Sequence, residues 1–243
     1  MSSWAPAPLR RLALTLIALV AVVVPGMVTA WVLTPSASDV QQRVLERTVT
    51  LGVVMLREDE VPKVLAQAVV ATEDESFYSH HGVDSIGLGR ALLYDASNFC
   101  ACQGGSTITE QLAKDVYLGG SDLGYNKLED LVLALKIEQV IGKQQILADY
   151  LSVIPTGQNR YGVSAASCVY FHAPLSGLTL GQYALLAGVT QAPSLYDPTV
   201  DSAAAVARRS HVLSAMVADR MISRDQAATA NSEPPLASSG PGC

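Results

Sequence analysis

Three short stretches combine side chains that could do chemistry. The first is Glu73-Asp74-Glu75-Ser76-Phe77-Tyr78-Ser79-His80-His81-Gly82. Three carboxylates beside two imidazoles suit general acid–base work once one carboxylate is partly desolvated. The plainer alternative is a solvated helix end, and residue chemistry alone leaves the two level. The second is Gly104-Gly105-Ser106-Thr107-Ile108-Thr109-Glu110-Gln111-Leu112-Ala113-Lys114. Glycines and hydroxyls leading into a helix N-terminus favour an anion such as phosphate. Ser106 or Thr107 could equally be a plain N-cap, with Glu110 closing a capping box to Thr107. Lys114 lies one helical turn beyond Glu110, free to pair with it or to reach a phosphate. No Gly-Lys-Ser/Thr ending follows, so this is not a nucleotide P-loop. The third, Lys127-Leu128-Glu129-Asp130 running into Leu131–Glu138, reads by itself as an ordinary amphipathic helix.

Helices must carry these residues. A helical pattern begins at Val61-Pro62, with Leu65, Val69 and Val70 on one apolar face. Further helical stretches run roughly over 85–95, 107–118, 127–141, 143–151, 162–171, 180–189 and 203–218, separated by Gly, Pro, Asn or Ser. The segment 34–57 reads as a juxtamembrane connector, with strand character over Val49–Val54. The Pro/Ser/Gly-rich residues 231–243 read as a disordered tail.

The N-terminus supplies a different element. Arg10 and Arg11 precede 22 residues, Leu12–Leu33, that carry no charge. A helix of that length crosses ~30 Å of hydrocarbon. The arginines hold residues 1–11 in the cytoplasm and send the rest outside. A cleaved signal peptide ending near Val28-Thr29-Ala30 is the rival reading. Outside the cytoplasm the four cysteines, Cys100, Cys102, Cys168 and Cys243, point to disulfides, and a bond from Cys100 or Cys102 to Cys168 is expected. The formal charge of −6 opposes a nucleic-acid partner, and 49% hydrophobic content excludes a disordered chain.

Taken together and in order, these stretches resemble the peptidoglycan glycosyltransferases of family 51. That family comprises the monofunctional transglycosylases and the transglycosylase domains of class A penicillin-binding proteins. Glu73 to Gly82 meets the pattern E-D-x-x-F-Y-x-H-x-G. Gly104 to Lys114 meets G-G-S-T-I-T-Q-Q-L-A-K except at Glu110. Lys143 to Leu151 meets K-x-x-I-L-x-x-Y-L-N, which then ends on Ser152. Tyr161-Gly162-Val163 with Tyr170-Phe171 fits the next block, and Gln191-Ala192-Pro193-Ser194 with Tyr196, Pro198, Arg208 and Arg209 fits the last.

The resemblance implies a mainly α, lysozyme-like two-lobed fold over residues 58–230, behind a transmembrane anchor over 12–33. It implies a single-pass protein of the bacterial plasma membrane that polymerises lipid II into β-1,4-linked glycan and releases polyprenyl diphosphate. Glu73 matches the family's general base, and Asp130 falls where the family has its second carboxylate. Asp74, Phe77, His80, Gly105, Ser106, Thr107, Gln111, Lys114 and Lys127 fall at substrate-cleft positions. Among them His80 is read as holding its loop by a hydrogen bond, and Phe77 as core or cleft wall. Expected partners are lipid II, the nascent glycan strand, the membrane, and transpeptidases or other cell-wall synthases. Mg2+ or Mn2+ is expected at the donor diphosphate. The chain stops at Cys243, so no transpeptidase domain is expected.

The chain also departs from the family. Its third block reads R-K-x-x-E, against Asn126-Lys127-Leu128-Glu129-Asp130 here. A further arginine is usual in the preceding loop, where this chain has Asp122 or a neighbour. A neutral amide does not replace a guanidinium's bidentate fork. These changes motivate a second reading, a weakened or inactive lipid II- or glycan-binding scaffold.

Overall fold

The computed structural model describes residues 7–98, 105–119, 126–238, 240 and 242–243. The helices are α1 (Ala7–Leu33), α2 (Val40–Leu51), α3 (Lys63–Glu73), α4 (Ser85–Asn98), α5 (Ile108–Tyr117), α6 (Asn126–Ile137), α7 (Lys143–Val153), α8 (Val163–Phe171), α9 (Leu180–Val189), α10 (Pro193–Tyr196), α11 (Ser202–Ala218) and α12 (Arg224–Asn231). Among the described residues β-pairing is limited to two isolated bridges, His81 with Val83 and Pro155 with Tyr161. The mainly helical class expected from the periodicity is what the chain adopts.

Helix α9 organises one half of the core. Gly181 and Tyr183–Val189 are all buried, as a helix that is apolar on every side beyond its first turn requires. Thr179 starts it with a capping box: its hydroxyl accepts from the Gln182 amide, and the Gln182 side chain accepts from the Thr179 amide. Helices α3 and α11 pack on α9 and on each other, so the end of α3 is set by a helix sandwich. In the other half α5 packs on α6 and α7. The turn after α3 passes α6 at Gly82, whose φ is +87° and where a Cβ would lie 2.8 Å from the Ala134 backbone. Only glycine suits both the angle and the approach.

Three expectations need correction. The connector is not strand-like: Val40–Leu51 is helix α2. Val40, Val44 and Thr48 recur every fourth residue and are buried, and α2 packs against α7 and α5. A helical period with one buried face outweighs the β-propensity of the valines. The helix ends where Gly52 adopts φ +67°. The domain core therefore begins near Val40, not at residue 58.

The tail is not loose. The Ala237 amide donates to the Tyr170 carbonyl at 3.0 Å, and the Gly242 amide to the His172 carbonyl at 2.8 Å. Arg209 is buried and donates to the carbonyls of Asn231 and Glu233 at 2.6 and 2.7 Å. The third correction explains this order. Cys168 is bonded to Cys243, with Cα atoms 5.8 Å apart, and not to Cys100 or Cys102. Those two cysteines, with Gly104 and Asp122, lie outside the described residues.

Helix α1 contains a 21-residue span, Ala13–Leu33, whose most apolar 18 residues have a mean hydropathy of 2.5 and are not buried. By length and composition it can cross a membrane. The C-terminal tether gives a direct check. Cys243→Ser is expected to cost about 2–4 kcal/mol, through the restored freedom of the unfolded chain. The measurement is the thermal midpoint, with limited proteolysis after Asn231. An unchanged midpoint and unchanged cleavage would show the tail held by its hydrogen bonds alone.

Candidate active site

Glu73 is the last residue of α3, and its side chain is only 8% exposed. Two groups from other helices reach it. Gln111 on α5 donates from Nε2 to Oε2 at 3.3 Å, and Arg208 on α11 approaches Oε1 with Nη2 at 3.4 Å. Burial pushes the Glu73 carboxyl above its ordinary value; the Gln111 bond and the Arg208 charge pull down, and the Asp74 charge pushes up. The balance leaves it raised, which suits a base working near neutral pH. Arg208 is itself buried and reaches Glu73 across α9 at Gly188. A Cβ there would lie 2.9 Å from Arg208 Cγ.

A cavity of about 160 Å³ opens beside this carboxylate, lined by Glu73, Ser76, Arg90, Ser106 and Thr107 among others. Arg90 lies on α4 and is exposed. The structure thus brings a buried carboxylate, a hydroxyl-bearing turn and a guanidinium to one hollow.

Asp74, Phe77 and His80 serve a different purpose. Asp74 lines the same hollow, but its oxygens are engaged inside. His80 Nε2 lies 2.9 Å from Oδ2 and 3.0 Å from Oδ1, and the Ile108 amide donates to Oδ2 at 3.0 Å. A carboxylate is thereby seated on the positive end of α5. The other imidazole nitrogen, Nδ1, accepts from Lys143 at 3.3 Å, which assigns the proton to Nε2. Lys143 also donates to Glu138 at 2.7 Å, and Thr109 donates to the same Glu138 oxygen at 2.6 Å. Phe77 is fully buried, with the Lys143 ammonium 4.5 Å from its ring centroid. The network locks the loop after Glu73 to α5 and to the start of α7.

On the far wall Thr107 caps α5. Its hydroxyl accepts from the Glu110 amide at 3.1 Å and donates to the Gly82 carbonyl at 2.7 Å. The Glu110 side chain, expected to complete a capping box, instead ion-pairs with Lys127. That lysine also donates to Ser106 Oγ at 2.8 Å. Glu110 is buried; desolvation and the nearby Asp130 push its carboxyl up, and the Lys127 bond and charge pull it down. Asp130 is buried one turn beyond Lys127, and Lys114 is half-buried one turn beyond Glu110. Gly105 borders the hollow beside Ser106.

A family model described as transglycosylase matches residues 41–217, spanning every side chain of this site. The chain belongs to the transglycosylase family. Penicillin-binding protein 1A of Haemophilus influenzae is 43% identical over 179 residues, covering 74% of this chain and 21% of the relative. The Escherichia coli protein of that name is 42% identical over 168 residues, covering 69% and 20%. This transglycosylase therefore spans about a fifth of the length of the curated relatives it matches. The crystal structure of the Haemophilus influenzae protein aligns over 77% of this chain and 18% of that chain, at 26% identity and a TM-score of 0.47.

Sequence reasoning did not single out Arg90, Tyr150 or the role of Arg208. The signal for Arg208 was available: an arginine in the middle of an apolar helix must be exposed or paired. Gly188→Ala tests the Arg208 path. Forcing a methyl against its stem is expected to cost about 1–3 kcal/mol, read as a lower thermal midpoint. An unchanged midpoint would mean that the stem yields without cost.

Proposed function

We propose that this transglycosylase polymerises lipid II into β-1,4-linked glycan strands and releases polyprenyl diphosphate, with Glu73 as general base. The observation that carries the reading is the Glu73 carboxylate: desolvated, held from two sides, and open to a hollow with hydroxyls and a guanidinium on its other wall.

A sugar 4-hydroxyl is a poor nucleophile near neutral pH. Glu73 takes its proton as the oxygen attacks C1 of the donor. The new C–O bond forms on the face opposite the diphosphate, and the electrons of the breaking C1–O bond leave with that diphosphate. An α-linked donor then gives a β-linked product. The leaving group's charge calls for cations on the far side. Lys127, Lys114 and Arg90 are the groups this chain offers, and Ser106 and Thr107 supply hydroxyls.

The donor side is less basic than the family pattern implies. Lys127 is already paired with Glu110, and the second carboxylate is the shorter Asp130. Among the described residues no cluster of three or more His, Cys, Asp or Glu side chains could hold a metal by itself. Mg2+ usually joins one or two carboxylates to substrate phosphates, and Glu110 and Asp130 are the carboxylates on this wall. Mg2+ or Mn2+ would offset leaving-group charge there. Helix α1 would anchor the chain once across the bacterial plasma membrane, with the domain outside beside its lipid-linked substrate and nascent glycan. Transpeptidases and other cell-wall synthases are the partners such a product calls for.

The Glu110–Lys127 pair also favours a second reading, a protein that binds lipid II or glycan and turns it over slowly or not at all. Labelled lipid II incubated with the full chain in detergent separates the two. The first reading expects polymer that falls at least ~10²-fold in Glu73→Gln. It also expects an acid limb of turnover above the ordinary glutamate range, because the base must be ionised and its carboxyl is raised. Binding without polymer in the wild type supports the second reading, and polymer made equally by Glu73→Gln defeats the base assignment. Chelation of divalent cations is expected to lower turnover. Asn126→Arg combined with Asp130→Glu is expected to restore part of it, and no response to either change would remove the charge argument.

A further inference from the structure

Tyr150 is a fully buried phenol that the reaction above does not use. It stands on α7, and its hydroxyl donates to Gln111 Oε1 at 3.1 Å. The opposite end of that amide, Nε2, is the group that donates to Glu73. Three helices thus contribute one line of groups: phenol on α7, amide on α5, carboxylate on α3.

An amide can present either end to a neighbour, and the two ends act oppositely on a carboxylate. The NH2 end donates and favours the ionised form. The carbonyl end can only accept, so it favours the protonated form. A hydroxyl aimed at Oε1 selects the first arrangement. Burial and the Glu73 charge push the Tyr150 phenol well above its ordinary value, so its proton stays in place at any pH where Glu73 titrates.

We propose that Tyr150 is a positioning residue for Glu73, holding the Gln111 amide with its NH2 toward the carboxylate and so keeping the base ionised. The proposal rests on Glu73 being the general base, and the effect on its titration holds whether or not the chain polymerises lipid II.

The other charged and titratable groups around Glu73 are fixed by their own contacts. Asp74, next in the chain, is held by His80 and the Ile108 amide. Arg208 on α11 donates from Nε to the Gly188 carbonyl at 3.4 Å and sits 5.8 Å from the Tyr196 ring centroid on α10. Helix α9 faces Glu73 with no ionisable side chain in these contacts. On α5, Asp115 acts electrostatically on Tyr150. Tyr150→Phe leaves these side chains in place and also removes the phenol's contact with Thr190, so Gln111→Leu is read beside it to assign a shift in Glu73 to the amide.

The test is a pH titration of the Glu73 carboxyl carbon by 13C NMR. It uses the full chain, labelled at glutamate Cδ, in detergent micelles, with Glu73→Gln identifying the signal. Tyr150→Phe keeps the ring and removes the hydroxyl. It is expected to raise the Glu73 midpoint by about one pH unit, the size of one lost hydrogen bond to a charged group. Gln111→Leu removes the amide and leaves the phenol, so it is expected to give a similar upward shift. The double variant is expected to shift no further than Gln111→Leu alone. With lipid II, the acid limb of kcat is expected to move up with the midpoint, while KM stays within about twofold. A Glu73 midpoint unmoved in Tyr150→Phe, or additive shifts in the double variant, would overturn the proposal. Should Tyr150→Phe fail to fold, a midpoint unmoved in Gln111→Leu overturns it equally. A shifted midpoint in a wild-type background that makes no polymer leaves the relay standing and removes the polymerase reading.

Discussion

A carboxylate taken out of water is the constraint around which this chain is arranged. Leaving Glu73 charged and unpaired in a helix sandwich would cost several kcal/mol. Moving it into solvent would return its carboxyl toward the ordinary range. The structure holds it between these limits with two long contacts, Gln111 at 3.3 Å and Arg208 at 3.4 Å. Neither is short enough to remove its reactivity. Each contact needs its own support: Tyr150 behind Gln111, and the bare backbone of Gly188 beneath Arg208. The packing of α3, α9 and α11 is in this sense a consequence of where one carboxylate must stand.

The start of α5 shows the opposite arrangement. There the carboxylate of Glu110 is given a close cation, Lys127 of α6. A pair with one buried and one half-exposed partner contributes little net stability, since desolvation of the carboxylate offsets much of the attraction. Its consequence is local charge. With Asp130 beside it, the group Glu110, Lys127 and Asp130 carries a formal −1. The acidic balance of the whole chain, −6, is therefore repeated in this group. The exposed guanidinium of Arg90 on α4 lies instead at the hollow beside Glu73.

Much of this was readable from residue order, and what was not has definite physical causes. The eight helices from α3 through α9 together with α11 followed from apolar periodicity and from Gly and Pro breaks, because each buries one stripe or all of its surface. Helix α2 was hidden by a run of β-branched residues at its C-terminal end, where Val49 is exposed and only Val40, Val44 and Thr48 face the core. The tail was misjudged from composition. Backbone hydrogen bonds and a disulfide order a Pro/Ser/Gly segment without any hydrophobic pattern. The Glu73 cluster and the turn before α5 were visible as chemistry. The residues that aim them were not, since Tyr150 and Arg208 reach Glu73 across 77 and 135 positions of sequence. Only the folded packing brings them together, and no local spacing encodes it.

The same logic extends to the end of the long apolar helix α1. The Lys136 ammonium donates to the carbonyls of Trp31, Thr34 and Pro35 at 2.8, 2.7 and 3.1 Å, and lies 5.1 Å from the Trp31 ring centroid. All three of its protons are spent on the carbonyl end of α1, where a cation meets the negative pole of the helix. Lys136 belongs to α6, the helix that also carries Lys127 and Asp130. The point at which the apolar helix ends is therefore tied to the element that carries the ion-pair partner of Glu110. Three hydrogen bonds and a cation–π contact from one lysine on α6 thus fix where the apolar helix leaves the domain.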